Sequence, residues 1–153
     1  MIIRRSSQLK TKLLDQDNFY LAFQSDIRAA KHEVIIESPF LTLRRLKLLL
    51  PDMLRAKTRG VRLVINTKPV NEQDVAMRAQ AADCIALLQC NGIVVLQTGG
   101  HHRKLAIIDR RFCYEGSLNI LSFRQSCELM RRTDNAKWSE DLLNFLNIKH
   151  LIG

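Results

Sequence analysis

Long apolar runs are missing from this chain. Arg, Lys or Asp interrupts every one, so no segment approaches the roughly 20 residues of a membrane-crossing helix. Residues 1–14, MIIRRSSQLKTKLL, are basic and hold no continuous apolar stretch, so no signal peptide is expected. Cysteines number four (Cys84, Cys90, Cys113, Cys127), with neither a C-x-x-C pair nor zinc-like spacing. Three of them lie in apolar segments, where cysteine acts as a small hydrophobe. Disulfides are therefore not expected, and a reducing cytoplasm is the default location. No Asp/Glu cluster resembles a magnesium site. Repeats and low-complexity linkers are also absent. Aromatic residues make up only 6%.

Acid is the other shortage: 15 Asp+Glu face 24 Lys+Arg, a net charge of +9. Such an excess favours polyanions, with nucleic acid first and an anionic membrane surface second. A hydrophobic share of 46% over 153 residues is that of an ordinary globular protein. One domain, residues 1–153, is expected, with 1–14 as a basic N-terminal arm.

Helical and strand patterns alternate along the chain. DNFYLAFQSDIRAAK places Phe19, Phe23, Ile27 and Ala30 on one helical face, with Asp17 as the candidate cap. EVIIES is a β-branched strand that ends at Ser38-Pro39. Leu43, Leu46, Leu50 and Leu54 form a second stripe holding Pro51, which implies either a kinked helix or two short ones. VRLVINT is the next strand, followed by a polar loop in which Asn71 is a candidate cap. Val75, Ala79, Ala82 and Ile85 mark a third helix. Strands follow at IVVLQT, KLAIID, RRFCYEGS and CELMRR, and NAKWSEDLLNFLNI closes the chain as a helix. This order predicts an α/β fold: a mixed, largely parallel β-sheet flanked by helices on both faces.

Residues 101–119, HHRKLAIIDRRFCYEGSLN, hold the polar residues that could do chemistry. On a strand, His102 and Lys104 would share a face, as would Ser117 and Asn119. Gly116 before them allows a tight turn or a close backbone approach to a ligand. An imidazole, an ammonium, a hydroxyl and an amide brought together suit the oxygens of a phosphate. His101 falls out of phase and is read as a bystander or a substrate contact. His32 and His150 lie in charged segments and are read as solvated surface.

The spacing His102-x-Lys104, then Asp109, Gly116, Ser117 and Asn119, resembles the HKD motif of the phospholipase D superfamily, single-motif bacterial endonuclease branch. SFRQSCEL further resembles the segment that carries that superfamily's site glutamate. The resemblance spans roughly residues 17 to 147 and implies a phospholipase D-like fold. It also implies a metal-independent phosphodiesterase without a cofactor, in which His102 attacks phosphorus to give a phosphohistidine. Lys104 and Asn119 would hold the non-bridging oxygens, Ser117 would donate or orient, and Glu128 would fix the imidazole tautomer. Asp109 is read as structural, pinning the turn at Arg110-Arg111. One motif supplies only one histidine, while the leaving alkoxide needs an acid. The resemblance therefore implies a homodimer with its active site on the twofold axis.

The positive charge and the small single-motif chain favour DNA or RNA as substrate. Arg103, Arg110 and Arg111, with Arg131 and Arg132, bunch near the motif, and Arg44, Arg45 and Lys47 lie on the second helix. Either bunch could track a phosphate backbone or be a solvated face. Ile120, Leu121 and Phe123 are either core or part of the dimer interface. Phe112, Tyr114 and Phe123 are too few near the motif to argue base stacking. A nuclease without an export signal needs restraint by substrate choice, by a partner, or by a larger protein around it. The alternatives are a nucleic-acid-binding or assembly module with a silent site, and a phospholipase D-type lipid phosphodiesterase.

Overall fold

The β-branched runs of the chain form the middle of one seven-stranded sheet in the computed structural model, which describes residues 10–152. The strands are β1 (Lys10–Leu14), β2 (Glu33–Glu37), β3 (Arg62–Thr67), β4 (Val94–Gln97), β5 (Leu105–Ile108), β6 (Phe112–Gly116) and β7 (Met130–Asp134). Their order across the sheet is β1-β7-β6-β5-β2-β3-β4. Helices are α1 (Phe19–Ala29), α2 (Leu43–Thr58), α3 (Arg78–Cys90), α4 (Ala136–Leu146) and α5 (Lys149–Ile152).

The sheet is mixed, as expected, but its balance differs from the expectation. Only β2-β3-β4 pair in parallel, through the crossovers of α2 and α3, and the other pairings are antiparallel. The expected N-terminal arm is in part a strand: Lys10–Leu14 pairs along β7, from Lys10 opposite Asp134 to Leu14 opposite Met130. The rest of that arm, residues 1–9, lies outside the described residues.

Alternation along each central strand feeds two cores. Val34 and Ile36 of β2, with Ala106 and Ile108 of β5, face α1, α2 and α3. Ile35 and Ile107 face the opposite way, against Leu143 and Leu146 of α4 and Ile148 of the link to α5. On α1, Phe19 and Phe23 meet the Tyr114 ring of β6 edge-on at 5.3 Å each.

Two local readings are corrected. Asp17 does not cap α1, because Asn18 occupies that position and Asp15 accepts the amides of Asp17 and Asn18 at 2.9 and 3.1 Å. Asn71 lies in a short 3-10 turn, Val70–Glu72, and α3 begins only at Arg78. Pro51 sits inside a continuous α2, whose Thr42 cap accepts the Arg45 amide at 3.4 Å.

Strand direction fixes where chemistry can occur. β2, β3 and β6 end at the same rim of the sheet, and β5 begins there, because Leu105 pairs with both Glu37 and Glu115. The loops at 38–42, 68, 98–104, 117–123 and 128 all issue from that rim.

Candidate active site

Apart from Gly116, the last residue of β6, the residues of the motif lie on the loops flanking β5 and β6. Residues 101–104 precede β5, and Ser117 to Asn119 follow β6. The ladder reaches slightly beyond the strand, since the Gly116 amide donates to the Lys104 carbonyl at 3.4 Å. His102 and Lys104 thereby come to the same rim as Ser117 and Asn119. His102 is exposed, and the Lys104 ammonium donates to its carbonyl at 2.9 Å. Burial holds the Lys104 pKa below the ordinary lysine value. The Glu128 charge opposes that shift and the Lys68 charge adds to it.

The loop after β6 is stitched to the loop after β2. The Leu121 amide donates to Ser38 Oγ at 3.1 Å, and the Phe123 amide donates to Thr42 Oγ1 at 2.8 Å. The Tyr20 hydroxyl donates to the Ile120 carbonyl at 2.8 Å. These bonds fix Asn119, whose Oδ1 is buried without a hydrogen-bond partner among the described residues. Its side chain lines a recess with Phe40, Thr42, Phe123 and Arg124. Ile120 and Leu121 are fully buried core.

Gly116 is required by its neighbour strand. A β-carbon there would stand 2.1 Å from the Leu129 carbonyl oxygen and 2.9 Å from Met130 Cα. The close approach is thus to β7 and not to a ligand. Beyond it, the Ser117 amide donates to the Leu129 carbonyl at 2.9 Å, and the Leu129 amide donates to Ser117 Oγ at 3.0 Å.

Glu128 sits beside this pair. Its carboxylate accepts from the Ser117 hydroxyl and, at 2.6 Å, from the Ser126 hydroxyl. Those two bonds, with the nearby Arg124 and Lys104 charges, hold its pKa below the usual glutamate value against the opposing effect of burial. The expected bond from Glu128 to His102 is not formed; the two serines take its oxygens instead. Among the described residues, no group of three or more His, Cys, Asp or Glu is placed to hold a metal ion.

Residues 23–148 match the family model described as cardiolipin synthase, PLD-like domain. The chain belongs to the phospholipase D-like family. Its fold is also that of Nuc, a phospholipase D family member from Salmonella typhimurium. That match has a TM-score of 0.75 at 17% identity, covering 95% of this chain and 97% of that one. NucT from Helicobacter pylori matches with a TM-score of 0.75 at 18% identity, over 95% and 98% of the two chains. TrmBL2, an archaeal chromatin protein whose structure shows a novel mode of DNA binding, matches at 0.62 and 12%, over 94% of this chain and 53% of that one. At these identities the likeness is one of fold. No curated protein matches the sequence.

Within this phospholipase D-like rim, His101 departs from the position that strand alternation predicts. Residues 101–104 are not a strand, so alternation does not govern them. The His101 amide turns back to the Thr98 carbonyl at 3.2 Å, and the ring goes inward, fully buried. There His101 Nε2 bonds the Glu37 carboxylate, itself fully buried, while Nδ1 has no partner among the described residues. Glu37 also accepts from Asn66 Nδ2 at 3.2 Å and Arg103 Nε at 3.4 Å. Burial alone would raise the Glu37 pKa, but His101, Arg103 and Asn66 outweigh it and hold it below the ordinary value.

Arg110 and Arg111 are not near the rim that carries His102 and Lys104. They turn the β5–β6 hairpin at the opposite end of the strands, one β5 length (roughly 13 Å) from Lys104. There Arg110 bonds Glu33 at 3.2 Å and Arg111 clamps Asp134 at 2.7 and 3.1 Å. Arg131 and Arg132 are likewise engaged, by Glu115 and Asp26. Asp109 is structural: its carboxylate accepts the amides of Lys31, His32 and Glu33 at 2.9, 2.8 and 3.0 Å.

Glu37, Lys68 and Arg124 belong to this rim and were missed. Lys68 immediately follows β3, with its ammonium 4.8 Å from the centroid of the Phe40 ring. A signal existed for it. In open α/β sheets, ligands gather at the carboxyl ends of the parallel strands, and Lys68 is the first residue past one.

Proposed function

We propose that the chain is a metal-independent phosphodiesterase, an endonuclease acting on DNA or RNA through a phosphohistidine, with its site completed by a second copy. The observation that supports this most directly is the gathering of His102, Lys104, Ser117, Asn119 and Glu128 at one rim of a phospholipase D-like sheet. The net charge of +9 favours a polyanionic substrate over a single lipid headgroup.

In this mechanism a neutral His102 nitrogen attacks phosphorus. The N–P bond forms, the O–P bond to the leaving oxygen breaks, and that oxygen takes a proton from His102 of the partner subunit. Water then attacks phosphorus, returns a proton to that second imidazole, and releases His102. Lys104 and the Asn119 amide meet the charge that builds on the non-bridging oxygens. Asn119 Nδ2 is free to donate, since its amide makes no hydrogen bond among the described residues. Ser117 and Ser126 hold Glu128 ionised, ready to orient the imidazole once substrate reorganises the rim.

The test is incubation with single- and double-stranded DNA and RNA in EDTA. Wild type should cleave at least one of them, and His102→Ala should cleave none while still binding. Activity lost on chelation and restored by magnesium would sink the mechanism. Turnover of phosphatidyl substrates in micelles, without nucleic-acid cleavage, would move the assignment to lipid. The pH–rate profile should be bell-shaped, because one imidazole must be neutral and its partner protonated.

A further inference from the structure

Most arginines among the described residues are engaged. Arg28, Arg55, Arg62, Arg103, Arg110 and Arg111 bond carboxylates, as do Arg131 and Arg132, while Arg59 and Arg78 bond backbone carbonyls. Among the described residues, three guanidinium groups have no hydrogen-bond acceptor: Arg44, Arg45 and Arg124. These three are gathered about Phe123. The Arg44 guanidinium lies 3.5 Å from the Phe123 centroid. That of Arg45 lies 3.6 Å from the Tyr20 centroid and 5.5 Å from Phe123. Arg124 follows Phe123 in sequence and lines the recess beside Asn119. Phe123 is the shared wall between that recess and a second one formed by Arg44, Arg45 and Leu48.

This arrangement is costly without an anion. Arg44 and Arg45 stand in the first turn of α2, a sixteen-residue helix with no acidic residue there, so both cations sit at the positive end of its dipole. Arg45 Nε is buried and unpartnered, and burial holds the Arg45 pKa below its ordinary value. The surrounding groups offset the cluster only in part. Tyr20 keeps its proton, its pKa pushed up to about 12 by burial. The Glu128 charge attracts Arg124, but its oxygens take their hydrogen bonds from Ser117 and Ser126, and Asp74 is the one carboxylate lining the Asn119 recess.

We propose that Arg44, Arg45 and Arg124, with Phe123, form a subsite for a backbone phosphate and the adjoining base of a single-stranded nucleic acid, next to the scissile phosphate. The proposal rests on the nuclease reading of the site. Arginine forks match phosphate oxygens, and the exposed Arg44 guanidinium over the Phe123 ring offers a face on which a base can stack. A duplex keeps its bases stacked and withholds that plane, whereas a lipid headgroup has no base to stack on it.

The test measures binding without turnover. In the His102→Ala chain, the affinity for a fluorescent single-stranded oligonucleotide is titrated against salt, with and without Arg44→Gln and Arg45→Gln together. Kd should rise on the order of tenfold per arginine removed. The slope of log K against log salt should shrink by about 0.7 for each phosphate that the variant no longer neutralises. Arg44→Lys with Arg45→Lys should restore the slope but only part of the affinity, because a lysine offers charge without the stacking plane. Thermal melting of each variant checks that it is folded.

Unchanged affinity and slope in the folded glutamine variant overturn the proposal, as does an equal loss for duplex and single strand. A loss confined to phosphatidylglycerol vesicles assigns the cluster to a lipid surface, and a changed sedimentation coefficient assigns it to an interface between copies; either overturns it. Failure of the nuclease reading looks different. Wild type would then turn over no phosphodiester, while the single-strand preference and its loss in the glutamine variant persist.

Discussion

A β-carbon on Gly116 has nowhere to go, with the Leu129 carbonyl oxygen 2.1 Å from its ideal position. Backbone, unlike a flexible side-chain tip, cannot move aside cheaply. Gly116→Ala is therefore expected to lose about 3 kcal/mol of stability by urea unfolding. Its activity should fall further than the unfolded fraction explains, because Ser117 begins the loop that carries Asn119. Equal losses of folded protein and of activity would separate Gly116 from the chemistry. The residue was legible as part of a spaced motif, but its reason was not, since the crowding atoms come from residues 129 and 130. Glu37 and His101 were illegible for a related cause. Whether a polar side chain turns inward depends on the partner awaiting it, and here a buried carboxylate on β2 bonds a histidine 64 residues away.

Among elements, the β5–β6 hairpin shows what its turn demands. Asp109 and Arg110 both have positive φ, 53° and 50°, and the Arg111 amide closes on the Ile108 carbonyl at 3.1 Å. Positive φ at both central residues marks a primed turn, normally built with Asn or Gly, and here it lies in a three-residue loop between the paired Ile108 and Phe112. Asp109 offsets the strain by accepting three amides from the residues leading into β2, which pins the hairpin to its neighbour strand. Burial alone would raise the Asp109 pKa, but those amides and the nearby His32 hold it below the ordinary aspartate value. A depressed carboxylate pKa stabilises the fold above its unfolded value, and the gain fades as pH falls through the folded value. Asp109→Asn should therefore flatten the acid limb of stability below about pH 4, measured by urea midpoints. Asp109→Ala should cost about 2 kcal/mol at neutral pH as well. An acid limb as steep in Asp109→Asn as in wild type would remove this carboxylate from the linkage. Strands with β-branched runs, such as 33–37 and 62–67, were readable because their burial is written locally. β1 was not, since four of the five residues of KTKLL are exposed and the strand exists through its ladder to β7. The antiparallel majority escaped for the same reason: pairing direction is a property of distant partners.

For the whole molecule, the proposed mechanism makes catalysis a property of a pair, because the chain carries one motif. If each site takes its nucleophile from one copy and its acid from the other, a dimer of one wild-type and one His102→Ala chain lacks one of the two. Equal amounts of the chains, mixed by co-refolding, pair at random and leave about one quarter of the dimers complete. Nuclease activity per total chain should then fall to about one quarter of wild type, against about one half if each chain works alone. A substrate whose leaving group needs no proton separates the two roles further. With bis(p-nitrophenyl) phosphate, a mixed dimer still holds one attacking imidazole and can form the phosphohistidine without an acid. The first-turnover burst of the same mixture should then reach about three quarters of the wild-type value, since only dimers with no wild-type chain lack a nucleophile. A burst of one half alongside a nuclease rate of one half would place both roles within a single chain.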